Sequence, residues 1–243
     1  MKTLSKLTLT LALTLFGFTQ MDAQWGQEKV VGNGNITTKS VTTGNYDEIK
    51  LVGSIDVHLE KGTEGNISVT TDENLQEYIS IEVNGGELVI KTKRNYYLKT
   101  KHGVHVTVPF QDLSEVSLTG SGDMDSKDTI KANDFEVSLT GSGDITLTLD
   151  AQMVDTDITG SGDITLLGTT NNLKVNVTGS GDFRGFDLQA NHTEVRVSGS
   201  GDAKVVAKQS LNARVNGSGD ITYKGNPEKS DTKTSGSGDI SSF

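Results

Sequence analysis

The sequence predicts an all-β protein whose main part is a parallel β-helix, or solenoid, with coils of about 20 residues, preceded by a β-rich N-terminal module. The tetrapeptide Gly-Ser-Gly-Asp occurs seven times, and successive copies are 21, 19, 19, 20, 18 and 19 residues apart. The residues flanking each copy alternate between apolar and polar, which is typical of a strand with one buried face. No segment keeps a helical apolar period. Each repeat is therefore predicted to be one coil of a stack.

Composition restricts the class of protein before any motif is considered. The 243 residues include no cysteine and 28 glycines, the hydrophobic share is 33%, and the formal net charge is −10. Disulfide scaffolds and thiolate zinc sites need cysteine and are excluded. A strongly acidic chain repels phosphate, so no nucleic-acid partner is expected. An aromatic share of 5% fits a thin core filled by small side chains.

Residues 1–23 are predicted to be a secretory signal peptide. Lys2 and Lys6 form a positive start, residues 7–18 are an apolar stretch, and Ala23 offers a small residue for cleavage. Twelve residues are too few to cross a bilayer core of about 30 Å, and no membrane span is expected elsewhere. A lipoprotein would need a cysteine to acylate. We therefore expect an exported protein of the periplasm, outer surface or extracellular space that is not a lipoprotein.

Residues 24–115 are predicted to form the N-terminal β module. Ile49 to Leu59 alternate like a repeat around a degenerate corner, and further strand-like runs lie within residues 67–108. A solenoid needs atypical end units that keep its strand edges from pairing with other molecules. This module is therefore expected to cap or begin the stack.

Residues 116–243 are predicted to form the solenoid itself. Two apolar columns flank a polar one before each motif, and alternation resumes after it, for example at Ile145 and Leu147. Stacking then makes neighbouring strands parallel and about 4.8 Å apart. At the corner, glycine adopts backbone angles that a Cβ disfavours, while the Ser and Asp side chains can bond nearby backbone N–H groups.

The repeat, with its preceding segments, resembles a known family. The string Leu139 to Ile145 recurs with small changes, and it is preceded by Tyr46–Gly53, Asp56–Gly62 and Val106–Pro109. Together these resemble the putative auto-transporter adhesin, head GIN domain family over roughly residues 46–243. The resemblance implies a β-helical fold and a bacterial envelope or surface location. It supplies no catalytic residues.

The first candidate site is the column of motif aspartates. Its members are Asp123, Asp144, Asp163, Asp182, Asp202, Asp220 and Asp239. In register, these carboxylates would lie about 5 Å apart and repel one another by about 0.8 kcal/mol in water. A hard cation such as Ca²⁺ could offset that repulsion. The alternative, which we favour, is that each carboxylate accepts backbone N–H bonds at its own corner and faces water, with no cofactor.

The second candidate site is a locally basic, aromatic stretch in an acidic chain. It comprises Arg94, Tyr96, Tyr97, Lys99 and Lys101. We interpret it as a contact for a partner, either a glycan or an envelope or surface protein. Four histidines occur, and none repeats with the coil. His102 and His105, beside these lysines, are interpreted as part of a solvated basic strand rather than a metal site.

The predicted function is therefore binding or scaffolding by an exported, adhesin-like protein without catalytic activity. One alternative is a polysaccharide lyase or hydrolase built on the same fold, which would use clustered carboxylates. An active site is usually a local exception to a repeat, and the aspartates are evenly distributed. The other alternative is a cation-stabilised periplasmic sensor or stress protein.

Overall fold

Alternating Val, Ile, Leu and Thr residues make this chain almost entirely β-strand, as expected for side chains that pack well on a pleated surface. A computed structural model describes residues 27–243. The predicted signal peptide, residues 1–23, lies outside the described residues. One short 3₁₀ helix, Glu73–Tyr78, interrupts the strands and buries Leu75.

The strands, numbered in chain order, are β1 (Glu28–Val31), β2 (Ile36–Thr42), β3 (Glu48–Gly53), β4 (Asp56–Lys61), β5 (Asn66–Asp72), β6 (Ile79–Asn84), β7 (Glu87–Thr92), β8 (Tyr96–Lys99), β9 (His105–Phe110), β10 (Glu115–Gly120), β11 (Met124–Ser126), β12 (Ile130–Gly141), β13 (Ile145–Gly160), β14 (Ile164–Gly179), β15 (Phe183–Gly199), β16 (Ala203–Val206), β17 (Ser210–Gly217), β18 (Ile221–Lys224), β19 (Lys229–Gly236) and β20 (Ile240–Ser242).

The repeats stack in parallel, and the predicted β-solenoid is confirmed, with about seven turns and an N-terminal β module. Strand β12 pairs with β13, β13 with β14, and β14 with β15. Each motif glycine lies opposite its counterpart, as Gly141 lies opposite Gly160. Equivalent residues of successive coils therefore form straight columns, and the columns predicted from the alternation exist.

Irregular spacings in the sequence correspond to local departures from this register. Thr165 and Leu167 of β14 pair with Arg184 and Asp187 of β15. Two residues of β15, Gly185 and Phe186, therefore lie opposite one residue of β14. That insertion gives the spacing of 20. The spacing of 21 belongs to the coil in which β11 ends early and a short loop precedes β12. The corners stay aligned because the excursions occur away from them.

The N-terminal strands enter the stack in an order that differs from the order of the chain. Strand β3 pairs in parallel with both β7 and β10, and β4 pairs with both β9 and β11. The coil of β3 and β4 therefore lies between the coil of β7 and β9 and the first perfect repeat. Gly53 lies opposite Gly120, so the degenerate corner continues the line of perfect corners.

The two ends of the stack differ. At the N-terminal end, β5 pairs antiparallel with β9, β6 pairs antiparallel with β7, and β2 extends the sheet beyond β5. At the other end, β19 pairs with β17 and is exposed at every position. Its Ser230, Thr232 and Thr234 lie opposite Leu211, Ala213 and Val215 of β17, so little apolar surface remains to cover. Among residues 27–243, no helix is long and apolar enough to span a bilayer.

One continuous core runs along the stack. It is made mostly of Val, Leu, Ile and Ala side chains, and Phe110 and Phe183 are the largest that are fully buried. Thr156 is also fully buried, between Val137 and Val175 of the neighbouring coils. Inward-facing side chains from both strand segments of a coil meet here, which explains how so few aromatic residues suffice.

Candidate functional site

The Gly-Ser-Gly-Asp corners form one continuous, tightly stacked line. The first glycine of each motif has a φ between +121° and +141°. The second lies so close to the coil before it that a Cβ would come within 1.8–2.1 Å of a backbone carbonyl oxygen. The backbone N–H groups of the motif serine and second glycine both donate to the first-glycine carbonyl of the preceding coil. Glycine is thus required by both conformation and close approach.

This line of corners presents exposed polar side chains in three parallel columns, which we call the GSGD edge. The first column is Thr119, Thr140, Thr159, Thr178, Ser198, Asn216 and Ser235, the second is the seven motif serines, and the third is the seven motif aspartates. Because the corners stack in register, hydroxyl and carboxylate groups repeat along the whole solenoid at the strand spacing of about 4.8 Å.

The aspartate column is a ladder of hydrogen bonds between coils. The backbone N–H of each motif aspartate donates to Oδ1 of the aspartate in the preceding coil, at 2.8–3.2 Å. The first rung is Asp56, at the degenerate corner, which the sequence analysis did not include. Its position directly before the alternating run from Val57 was the available signal. One oxygen of each rung up to Asp220 therefore carries a structural bond.

One basic residue forms ion pairs with two aspartates of the ladder. The Arg184 guanidinium lies 2.6 Å from Oδ2 of Asp163 and 3.4 Å from Oδ2 of Asp182. These two aspartates are half-buried, whereas the other five are exposed. Arg184 therefore offsets the repulsion at one point of the column. Within residues 27–243, no three His, Asp or Glu side chains are grouped so that they could hold one metal ion, so Ca²⁺ binding by this column stays a hypothesis.

The predicted partner stretch lies on the same edge of the molecule. Strand β7 ends at Thr92 and β9 resumes the coil at His105, so residues 93–104 replace a corner. We call this segment the corner insertion. It carries β8, which pairs with β1 in a separate two-stranded sheet. All five predicted residues therefore lie in one segment, which replaces the corner of its coil.

A groove of about 750 Å³ joins the corner insertion to the GSGD edge. Its residues include Arg94, Tyr96 and Tyr97 on one side and Gly53, Ser54, Gly120 and Ser121 of the first two corners on the other. Tyr97 is 53% exposed. Tyr96 packs on Tyr78 with ring centroids 4.6 Å apart. An exposed aromatic ring, a guanidinium and nearby hydroxyls are a combination that can stack on and hydrogen-bond to a polar ligand.

Lys99 and Lys101 are separated from that groove. They line a second depression with His102, on the side of the insertion that faces Asp72. The Asp72 carboxylate is buried and accepts hydrogen bonds from the Thr100 hydroxyl (2.6 Å) and the Gly34 N–H (2.5 Å). These bonds, with the one from Thr100 the largest influence, hold the pKa of Asp72 below its usual value. Asp72 therefore anchors the base of the insertion.

A second acidic column, on a different face, was not identified from the sequence. Consecutive coils place Glu87, Glu48, Glu115, Glu136 and Asp155 side by side. Burial, together with the charges of Glu136 and Glu48, raises the pKa of Glu115. Two lysines relieve the ends of the column, Lys50 at 3.2 Å from Glu87 and Lys174 at 2.6 Å from Asp155. The repeated acid five positions before the motif was the signal that could have revealed it.

Comparisons with known proteins agree with this architecture. The family model described as putative auto-transporter adhesin, head GIN domain matches residues 45–227. A putative adhesin from Bacteroides fragilis has the same fold, with 22% identity, a TM-score of 0.82, and coverage of 88% of this chain and 100% of that one. A second putative adhesin, from Parabacteroides distasonis, is 26% identical with a TM-score of 0.73, and the coverage is 89% and 100%.

A further similar structure carries a different description. It is a putative lipid binding protein from Parabacteroides distasonis, 31% identical, with a TM-score of 0.74 and coverage of 89% of this chain and 100% of that one. No curated protein matches this chain.

Proposed function

Because the chain belongs to the putative auto-transporter adhesin, head GIN domain family, we propose that it is an exported, adhesin-like protein that binds a ligand without chemically changing it. The ligand class that the site fits best is a glycan of the cell envelope or of a neighbouring surface. The export step rests on the predicted signal peptide of residues 1–23.

The observation that carries this proposal is the continuity between the groove and the GSGD edge. The groove offers one exposed aromatic ring, Tyr97, and one guanidinium, Arg94, beside the first corner hydroxyls. From there the same hydroxyl and carboxylate columns continue along the stack. A long ligand with repeated hydroxyl groups would find equivalent hydrogen-bonding groups at every coil. A rigid solenoid loses little conformational entropy on binding, which favours such an extended contact.

Two other functions have less support at this site. A polysaccharide lyase or hydrolase would need a local cluster of acid–base groups near the groove. The aspartates at the GSGD edge are already engaged in bonds between coils, which favours a structural and binding role over proton transfer. A lipid ligand, as in the description of one similar structure, would need a deep apolar cavity, whereas this groove is open to solvent and, besides its two tyrosines, has only Val52 and Leu98 as apolar side chains in its lining.

The experiment is binding of the exported chain to an array of bacterial and host glycans, followed by affinity measurements on the best ligand. We expect Tyr97→Ala and Arg94→Ala each to weaken binding about 5–30-fold, since each removes a contact of about 1–2 kcal/mol. Phe243→Ala is the matched control, because Phe243 is an exposed aromatic residue at the other end of the stack. Equal loss in all three variants, or no loss in the first two, would contradict the assignment of the groove.

The same polysaccharides should then be incubated with the protein and assayed for new reducing ends and for unsaturated products. We expect none to form. Turnover that the Tyr97→Ala variant lacks would establish the enzyme alternative at this groove. Vesicle binding with no glycan binding would favour a lipid ligand. N-terminal sequencing of the secreted protein tests export, and a mature chain that begins at Gln24 is the expected result.

A further inference from the structure

Two histidines that lie far apart in the sequence meet on the outer face of the first coils. His58 is on β4 and His105 on β9, two parallel neighbours in the sheet that follows the corners. Nε2 of His58 lies 3.3 Å from Nδ1 of His105, and the ring planes are within 17° of parallel. Both side chains are 42% exposed. The pair is therefore open to solvent and free to bind a small ligand.

The outer nitrogen of each ring has a partner that fixes where its proton resides. Nδ1 of His58 lies 2.5 Å from an oxygen of the Asp125 carboxylate, and Nε2 of His105 lies 2.9 Å from the His102 carbonyl oxygen. Both partners accept hydrogen bonds and cannot donate them. Each neutral ring must therefore carry its proton on the outer nitrogen.

The consequence is that both inner nitrogens, Nε2 of His58 and Nδ1 of His105, present lone pairs to the same small space. A hydrogen bond between two neutral rings is excluded, because neither inner nitrogen has a proton to donate. Two neutral rings in these tautomers repel each other at the inner nitrogens, and either a proton on one of them or a metal ion bound by both relieves that repulsion. A carboxylate or carbonyl that orients the outer N–H is also the usual second partner of a metal-bound histidine.

We propose that His58 and His105 bind a divalent transition-metal ion through these inner nitrogens. A tetrahedral ion with nitrogen ligands at about 2.0–2.1 Å holds those nitrogens about 3.3 Å apart, which matches the observed separation. Because the ring planes are nearly parallel, binding requires the two half-exposed rings to rotate until both lone pairs point to one position on the solvent side. No third protein side chain of residues 27–243 converges on that point, so water completes the coordination.

Asp56 lies close enough to support this site. Its Oδ2 is 3.6 Å from Nδ1 of His105, where it can accept a hydrogen bond from metal-bound water and adds negative charge beside the cation. Its Oδ1 is the first rung of the aspartate ladder and accepts the N–H of Asp123. The metal would therefore lie at the start of the GSGD edge and hold β4, β9 and the corner insertion together.

The test is a calorimetric titration of the tag-free, chelator-treated exported chain with Zn²⁺, Ni²⁺ and Cu²⁺ in turn. We expect one equivalent to bind, with Cu²⁺ bound more tightly than Ni²⁺ or Zn²⁺, as imidazole ligands require. Zn²⁺ should also raise the melting temperature, since it binds the folded chain only.

Variants separate this site from incidental binding. The double variant His58→Ala/His105→Ala should no longer bind the metal ion. Asp125→Asn should weaken the affinity for the ion about 10–100-fold, because the His58 ring is then no longer held in place. His192→Ala is the matched control, because His192 bonds Ser210 on a distant coil and should leave binding unchanged. All variants are first required to melt cooperatively without metal. The proposal would be overturned if none of the three ions binds the unmodified chain, or if the double variant binds them as tightly as that chain does.

Discussion

Replacing the second glycine of a single corner by alanine tests the close stacking of the corners most directly. At Gly162 an added Cβ would lie 2.0 Å from the carbonyl oxygen of Gly143, while ordinary contact begins at 3.4 Å. The two coils must therefore separate locally by the difference, about 1.4 Å. The atom in the way belongs to the backbone, so no side-chain rotation can relieve the contact.

The cost follows from the bonds that the separation breaks. Ser161 N–H and Gly162 N–H donate to the Gly141 carbonyl at 2.8 and 3.1 Å, and Asp163 N–H donates to Asp144 at 3.0 Å. Each bond contributes about 1 kcal/mol net, so the loss of all three costs about 3 kcal/mol. For a domain of this size that lowers the melting temperature by about 6–12 °C.

Three other glycines separate the possible causes. Gly44 has no positive φ, and an added Cβ would meet no atom within 4 Å. Gly44→Ala should therefore change stability by no more than about 0.5 kcal/mol. Gly34→Ala has a φ of +81° in open space, so it reports backbone strain alone, about 1 kcal/mol. Gly160→Ala combines a φ of +125° with a contact of 2.3 Å and should be at least as damaging as Gly162→Ala.

The assay is urea and thermal denaturation followed by far-ultraviolet circular dichroism on all four variants. We expect the melting temperature of Gly162→Ala to lie well below that of Gly34→Ala, although Gly34 has a positive φ and Gly162 does not. If Gly162→Ala has the same melting temperature as Gly44→Ala, the close approach of the corners does not limit stability. The positive φ would then still explain the first glycine of each motif, but close packing would no longer explain the second.

Three further substitutions are expected to have measurable effects. Thr156→Val should raise stability by about 1–2 kcal/mol in urea denaturation, because its buried hydroxyl finds no hydrogen-bond partner among residues 27–243; a loss would contradict this. Because burial and neighbouring carboxylates raise the pKa of Glu115, Glu115→Gln should raise the melting temperature at pH 7. The gain in melting temperature should vanish at pH values well below 4.5, the ordinary pKa of glutamate, because Glu115 is then protonated in both the folded and the unfolded chain. The lowered pKa of Asp72 means that its ionised form stabilises the fold above the ordinary value of 3.8 and that this contribution is lost as the pH falls. Asp72→Asn should therefore melt lower at pH 7, with a difference that narrows in acid; a constant difference would show that charge is irrelevant.

The regular part of the fold could be predicted because its information is local. The seven identical tetrapeptides and the period-two columns fix which residues face inward, and a one-residue slip would expose the whole apolar set. The register from β12 to β15 follows directly. The aspartate column was also predicted, but the direction of its bonds was not. Each carboxylate was expected to cap its own corner, and it instead accepts an N–H from the next coil, because the strand spacing brings that group within reach.

The candidate binding residues of the corner insertion stand out in the sequence only by their composition. Arg94, Tyr96 and Tyr97 stood out as basic and aromatic in an acidic chain. Nothing in that anomaly shows that the segment replaces a corner, or that Lys99 and Lys101 lie in a separate depression. Those facts depend on β7 and β9 being one interrupted coil, which only their pairing with β3 and β4 reveals.

The period, the buried columns and the glycine corners follow from local sequence, because each repeat pairs with a near-copy of itself in the adjacent coil. The tertiary structure decided the order of the first coils, with β3 and β4 placed between strands that follow them in the chain. It also brought His58 within reach of His105 and Asp125, which are 47 and 67 residues away. Such contacts arise from long-range pairings with no repeated pattern, so no local periodicity encodes them.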